Sequence, residues 1–158
     1  MAIKSGVSEG FRSVTPFFTC KNCSAAIDFY KQAFGAEEVA RLNAPDGRVM
    51  HAELKIGDSI FMLNDEFDRS TCKSPQALGG TTGGLHVYVS DVDAAFDRAI
   101  EAGGTVKMPV ADMFWGDRYG QFVDPFGHIW SIATQKEELT LQQIEERAKE
   151  VFQRMKVA

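Results

Sequence analysis

The sequence predicts an α+β fold built from two successive βαβββ modules and a C-terminal helix. Three observations carry that expectation. Apolar residues at helical spacing occur twice, each time after a β-branched or aromatic run and before glycine. Shifting the chain by 69 residues places Ala25-Ala26-Ile27-Asp28 on Ala94-Ala95-Phe96-Asp97, and Gly35 on Gly104. A shift of 70 places Gly57 on Gly127, so a strand turn repeats as well, as duplicated units require.

Taken in order, Val14–Cys20 is rich in β-branched and aromatic residues and reads as a strand, with Pro16 marking its start or a sheet edge. Ala26, Ile27, Tyr30, Ala33 and Phe34 then form a helical stripe over 24–34, with Asn22 at the cap and Gly35 at C′. Strands follow at about 37–42, 48–56 and 59–64. Pro45-Asp46-Gly47 and Gly57-Asp58 supply the turns between them. This first half spans about 12–65. Residues 66–83, with Pro75 and several glycines, read as a linker.

The second half, about 84–134, repeats the pattern. A strand at 85–89 precedes a helix capped by Asp91, with Val92, Ala95, Phe96, Ala99 and Ile100 on its apolar face. Gly103-Gly104 ends that helix, and strands follow at about 105–110, 117–123 and 128–133, the last pair joined by Asp124-Pro125-Phe126-Gly127. Thr140 and Gln143 have capping-box spacing at the start of a helix over about 140–156, striped by Leu141, Ile144, Ala148, Val151, Phe152 and Met155. The stripe must lie on its own domain or on a second subunit. The whole chain reads as one domain.

Bulk properties narrow the function. With 158 residues and a net charge of −5, the chain has no electrostatic reason to bind nucleic acid or an anionic membrane. No apolar run approaches the ~20 residues that span a bilayer, and Met1–Phe11 lacks the apolar centre of a secretory signal. Cys20, Cys23 and Cys72 are odd in number and fit a reducing cytoplasm. Cys20-Lys21-Asn22-Cys23 has redox spacing, but the duplicated βαβββ pattern is not the surrounding fold that such a motif needs, so both read as ordinary thiols. There is neither a phosphate-binding P-loop nor a G-x-S-x-G elbow.

The segments AAIDFYKQAFGAEEV (25–39), HAELKIGDSIFMLND (51–65), LHVYVSDVDAAFDRAIEAG (85–103) and MFWGDRYGQFVDPFGHIWSIAT (113–134) resemble the PhnB-like branch of the vicinal-oxygen-chelate superfamily, which includes glyoxalases, bleomycin-resistance proteins and dioxygenases. The resemblance implies two modules curled into an incomplete barrel, a ligand on the concave face, and a homodimer. Metal-using relatives carry four His, Gln or Glu ligands there. The matching positions are Thr15, Met62, Gly84 and Ser131, none a good donor for a divalent first-row metal. The expectation is therefore no cofactor and no metal at the usual positions.

Strand alternation assigns the remaining cup. Phe17, Met62, Tyr88 and Tyr119 supply apolar body, while His51, Glu53, His86 and Gln121 supply polar handles. The turn length leaves Arg118 and Gly120 as the alternative to Tyr119 and Gln121. Trp115 would stack on a planar or cationic ligand at the mouth, or serve as a core or dimer contact. Arg118 is expected to pair with Asp117 or another carboxylate. Three functions compete. The first is a metal-free protein that sequesters a small molecule. The second is a metal-dependent lyase or dioxygenase holding its ion unusually, through His51, Glu53 and His86. The third is a metal-free isomerase using His51 or Glu53 as base.

Overall fold

A computed structural model describes residues 6–157. Part of the amino-terminal segment read above, Met1–Ser5, lies outside the described residues. Twelve elements run in the order β1 (Phe17–Cys20), α1 (Cys23–Phe34), β2 (Glu37–Asn43), β3 (Val49–Ile56), β4 (Ser59–Asp65), α2 (Pro75–Leu78), β5 (Gly84–Tyr88), α3 (Val92–Glu101), β6 (Thr105–Asp112), β7 (Asp117–Val123), β8 (Ile129–Gln135) and α4 (Leu141–Val157). They form two four-stranded sheets of matching order, β1-β4-β3-β2 and β5-β8-β7-β6, with no closed barrel. In each sheet the first strand runs parallel to the last, and the other pairs are antiparallel.

The local chemistry explains the boundaries. Asn22 takes a left-handed conformation (φ 67°) and its side chain accepts from Ala25 N, while Gly35 (φ 65°) closes α1. The strand reading from Val14 is too long, because β1 begins after Pro16, which has no N–H for the ladder. The linker also holds a short helix that the reading missed, capped by Ser74 with Pro75 in its first turn.

Each module anchors its helix by the same device. Asp65 accepts from Cys23 N and Val49 N, both at 2.7 Å. Its counterpart 69 residues on, Thr134, accepts from Val92 N at 2.9 Å and donates to Val89 O at 2.8 Å. Cys23 N and Val92 N are first-turn helix N–H groups that would otherwise lack a partner.

Helices α1 and α3 pack on one another and on the inner faces of both sheets, so the modules share one core. Trp130 is its centre, with the rings of Phe34, Tyr30 and Phe61 at 4.7, 5.1 and 5.9 Å. Each such buried side chain contributes roughly 1.5–3 kcal/mol. Tyr30 donates to Asp124 Oδ2 at 2.6 Å, tying α1 of the first module to the β7–β8 turn of the second. At the chain's end, Thr140 and Gln143 make the reciprocal bonds of a capping box at 2.9 and 3.3 Å. One end of α4 rests on its own chain, Phe152 against Phe114 at 6.4 Å, while Leu141, Phe152 and Met155 keep exposed surface.

Candidate functional site: two concave sheet faces

With Leu54, Phe61, Phe122, Trp130 and Ile132 buried towards the helices, the alternate residues of β3, β4, β7 and β8 face outward on the concave sides. On the first sheet Glu53 sits opposite Met62, and Phe17 opposite Met62 across the parallel pair. His51 Nε2 lies 3.1 Å from Glu53 Oε1, both side chains partly open to solvent. Thr19 Oγ1 donates to Asn64 Oδ1 at 2.9 Å beside them. Phe17 is half exposed.

The second face is more tightly built. His86 Nδ1 bonds Ser131 Oγ at 2.8 Å, directly across the β5–β8 pair. The imidazole stands between the ring of Tyr88 at 4.6 Å, edge to face, and that of Tyr119 at 5.9 Å, nearly parallel. Trp115 meets Tyr119 edge-on at 5.6 Å. Gln121 is paired with Ser131. Of the two readings left open for β7, it is therefore Tyr119 and Gln121 that occupy the concave face. Arg118 points to the helix side, where it bonds Asp93 Oδ2 at 2.7 Å and Asp112 Oδ1 at 3.2 Å, so of the carboxylate partners expected for it these two, not Asp117, are the ones it takes. Gly120 is required beneath, because a Cβ there would lie 2.8 Å from Phe96 and Val110.

Asp117 is the residue that sequence reasoning missed. It is buried, and its Oδ2 accepts from Trp115 Nε1 at 3.2 Å and from Tyr88 OH at 3.3 Å. One carboxylate thereby fixes two rings of the wall. Burial first, and then the Asp117 charge, push the Tyr88 phenol above its ordinary range, so it stays a neutral donor at physiological pH. Only the proximity of Asp117 to Trp115 in sequence hinted at this; the Tyr88 bond spans strands.

Sequence reading placed Phe17, His51, Glu53, Met62, His86, Trp115, Tyr119 and Gln121 around one cup. The structure groups Phe17, His51, Glu53 and Met62 on one face and His86, Trp115, Tyr119 and Gln121 on another. Among the described residues no hydrogen bond or ring contact links the two groups. A shallow hollow of about 320 Å³ opens at the second face, between residues 81–86 and Gln121, Ile129 and Ser131.

Nor do His51, Glu53 and His86 converge, for the described residues contain no group of three or more His, Cys, Asp or Glu side chains placed to hold a metal. The four family positions do not suit a divalent ion either. Thr15 precedes β1 and donates to Arg12 O at 3.1 Å. Met62 offers a thioether, and the Ser131 hydroxyl is taken up by His86. Any Cβ at Gly84 would lie 2.5 Å from Ile129 O, so no side-chain ligand fits there.

A family model described as the Glyoxalase/Bleomycin resistance protein/Dioxygenase superfamily matches residues 13–132. The chain belongs to that superfamily. Among similar proteins, Rv0887c of Mycobacterium tuberculosis is 41% identical over 136 residues, covering 84% of this chain and 80% of the relative. A lactoylglutathione lyase from Neisseria meningitidis is 29% identical over 108 residues, 68% of this chain and 78% of the enzyme. The crystal structure of TioX from Micromonospora superposes with a TM-score of 0.62 at 29% identity, covering 82% of this chain and 100% of TioX. A PhnB protein from Bacillus cereus has the same glyoxalase fold at a TM-score of 0.61 and 20% identity, over 78% of this chain and 99% of its own. No helix among the described residues is long and apolar enough to cross a membrane.

Proposed function

We propose that this superfamily member binds a small planar organic molecule on its concave sheet faces, without a divalent ion at the usual positions, and that it works as a homodimer in the cytoplasm. The observation that carries the reading is the wall around His86. The imidazole is held by Ser131 between two tyrosine rings, and Tyr88 and Trp115 are tethered to one buried carboxylate. Aromatic surface fixed in advance, with an imidazole and an amide nearby, is the usual make-up of a small-molecule site. His86 Nε2 has no partner among the described residues, so it remains available to a ligand.

Exposed apolar residues favour the dimer. Val39 and Leu42 on β2, Val106 and Met108 on β6, and Leu141, Phe152 and Met155 on α4 all present large side chains to solvent. A second copy would cover them and close the open faces. Sedimentation equilibrium should give twice the chain mass, and a monomer at micromolar concentration would remove this part of the reading.

A thermal-shift screen of planar heteroaromatic compounds tests the ligand. A hit at 100 times its Kd should add about 2.7 kcal/mol of stability. Tyr119→Ala is expected to weaken the hit at least ten-fold; a hit bound equally well by Tyr119→Ala and His86→Ala sinks the proposal. The His51–Glu53 pair at 3.1 Å favours a second reading, metal-free proton transfer. Turnover of a hit that disappears in Glu53→Gln while binding persists would select it. The lyase relative keeps a metalloenzyme in play: one transition ion per purified chain, lost with His51→Ala, would displace both.

A further inference from the structure

The pseudo-twofold relating the modules creates two seams, and they are filled differently. At the first, β1 and α1 meet the β7–β8 turn. Phe18 stacks on His128 at 4.1 Å, and His128 Nε2 donates to Thr19 O at 3.1 Å. Tyr30 reaches Asp124, and Phe29 packs on Phe126 at 6.4 Å. The 69-residue offset takes Phe18 to Val87, Phe29 to Arg98 and Tyr30 to Ala99. Ladder register takes Asp124 and His128 to Ile56 and Ser59, the pair next to the shorter Gly57-Asp58 turn.

At the second seam, then, each plugging side chain has become shorter, apolar or cationic. The result is a hollow of about 720 Å³ with Phe61, Val87 and Trp130 in its lining and Arg12 and Arg98 beside them. Burial differs at one matched pair: Cys20, at the end of β1, is fully buried, whereas Val89, 69 residues on and just past β5, is half-buried. The volume lies within the range of small-ligand pockets.

Two carboxylates also stand at the rim, each bonded locally: Asp91 accepts from Ala94 N at 3.1 Å and Asp58 from Ser59 Oγ at 2.9 Å. Neither Arg12 nor Arg98 belongs to an ion pair among the described residues. We propose that this seam is a second ligand site, separate from the concave faces, for a small amphipathic carboxylate. The hydrocarbon or aryl body lies against Phe61, Val87 and Trp130, and the carboxylate meets the guanidinium groups of Arg98 and Arg12. His86 and Tyr88 on β5 border this hollow as well as the concave face, but the carboxylate and its apolar body are assigned to Arg98, Arg12, Phe61, Val87 and Trp130.

Calorimetric titration of the full chain with decanoate tests it, with decyltrimethylammonium as the opposite-charge probe. Decanoate should bind once per chain, at least ten-fold more tightly than the cation. Val87→Phe, which copies the plugged seam, should abolish binding. Arg98→Gln should weaken it at least ten-fold even if Val87→Phe fails to fold, and Tyr119→Ala should leave it unchanged. Absent decanoate binding, equal binding of the cation, wild-type affinity in Arg98→Gln, or loss in Tyr119→Ala would each overturn the proposal.

Discussion

His128 illustrates how one side chain can carry a pH dependence. Its ring is buried, stacked on Phe18, and its Nε2–H donates to Thr19 O, a bond that fixes the tautomer. Burial holds its pKa below the ordinary value of 6.5 despite the nearby Asp124, so the folded state favours the neutral ring. The unfolded chain therefore takes up a proton at higher pH than the native one. Stability from this group is fully present above about pH 6.5 and falls as pH drops below it. Urea melts between pH 7.5 and 5 should show that loss, and His128→Gln should flatten it. Unchanged pH dependence in the variant would remove His128 as its source. Gly84 makes a different demand at the same scale. With Ile129 O only 2.5 Å from the place of a Cβ, Gly84→Ala must push β5 off β8, at a cost of about 2 kcal/mol. A denaturation midpoint equal to wild type would contradict the packing described.

At the scale of elements, the β7–β8 turn depends on Asp124. Its Oδ1 accepts from Phe126 N and His128 N, both at 2.9 Å, and its Oδ2 accepts from Tyr30 OH and Trp130 Nε1. Asp124→Ala leaves these buried donors unpaired, and we expect a loss of about 3 kcal/mol, measured by chemical denaturation. Asp124→Asn keeps an acceptor and should lose less. The turn itself was legible, because Asp-Pro-x-Gly after an alternating strand is local chemistry. So were both helix starts, at Asn22 and Asp91, and the outward facing of Glu53, Met62 and Ser131, which follows from alternation. Asp124's reach to Tyr30, 94 residues away, left no local trace. Alternation says which residues share a sheet face, but how two sheets sit relative to each other is set by contacts such as Phe18 with His128. That Arg118 would pair with a carboxylate was legible, but not which one, because Asp93 and Asp112 lie on α3 and β6, elements that no spacing rule joins to β7.

For the whole molecule, the decisive feature is that duplicated modules did not keep separate interiors. Trp130 of the second module is surrounded by Phe34, Tyr30 and Phe61 of the first, and Asp124 is bonded to Tyr30. Removing either module would expose that aromatic surface and strand buried donors, so neither half has a core of its own to fall back on. The chain should accordingly unfold in one step. Fluorescence of Trp130 in a Trp115→Phe background reports the second module, and the reactivity of the buried Cys20 and Cys23 thiols reports the first. Both curves, and the far-ultraviolet circular dichroism, should share one urea midpoint and one slope. A thiol transition displaced from the tryptophan transition would mean that the modules fold as separate units, and the shared core would then count for less than the geometry implies.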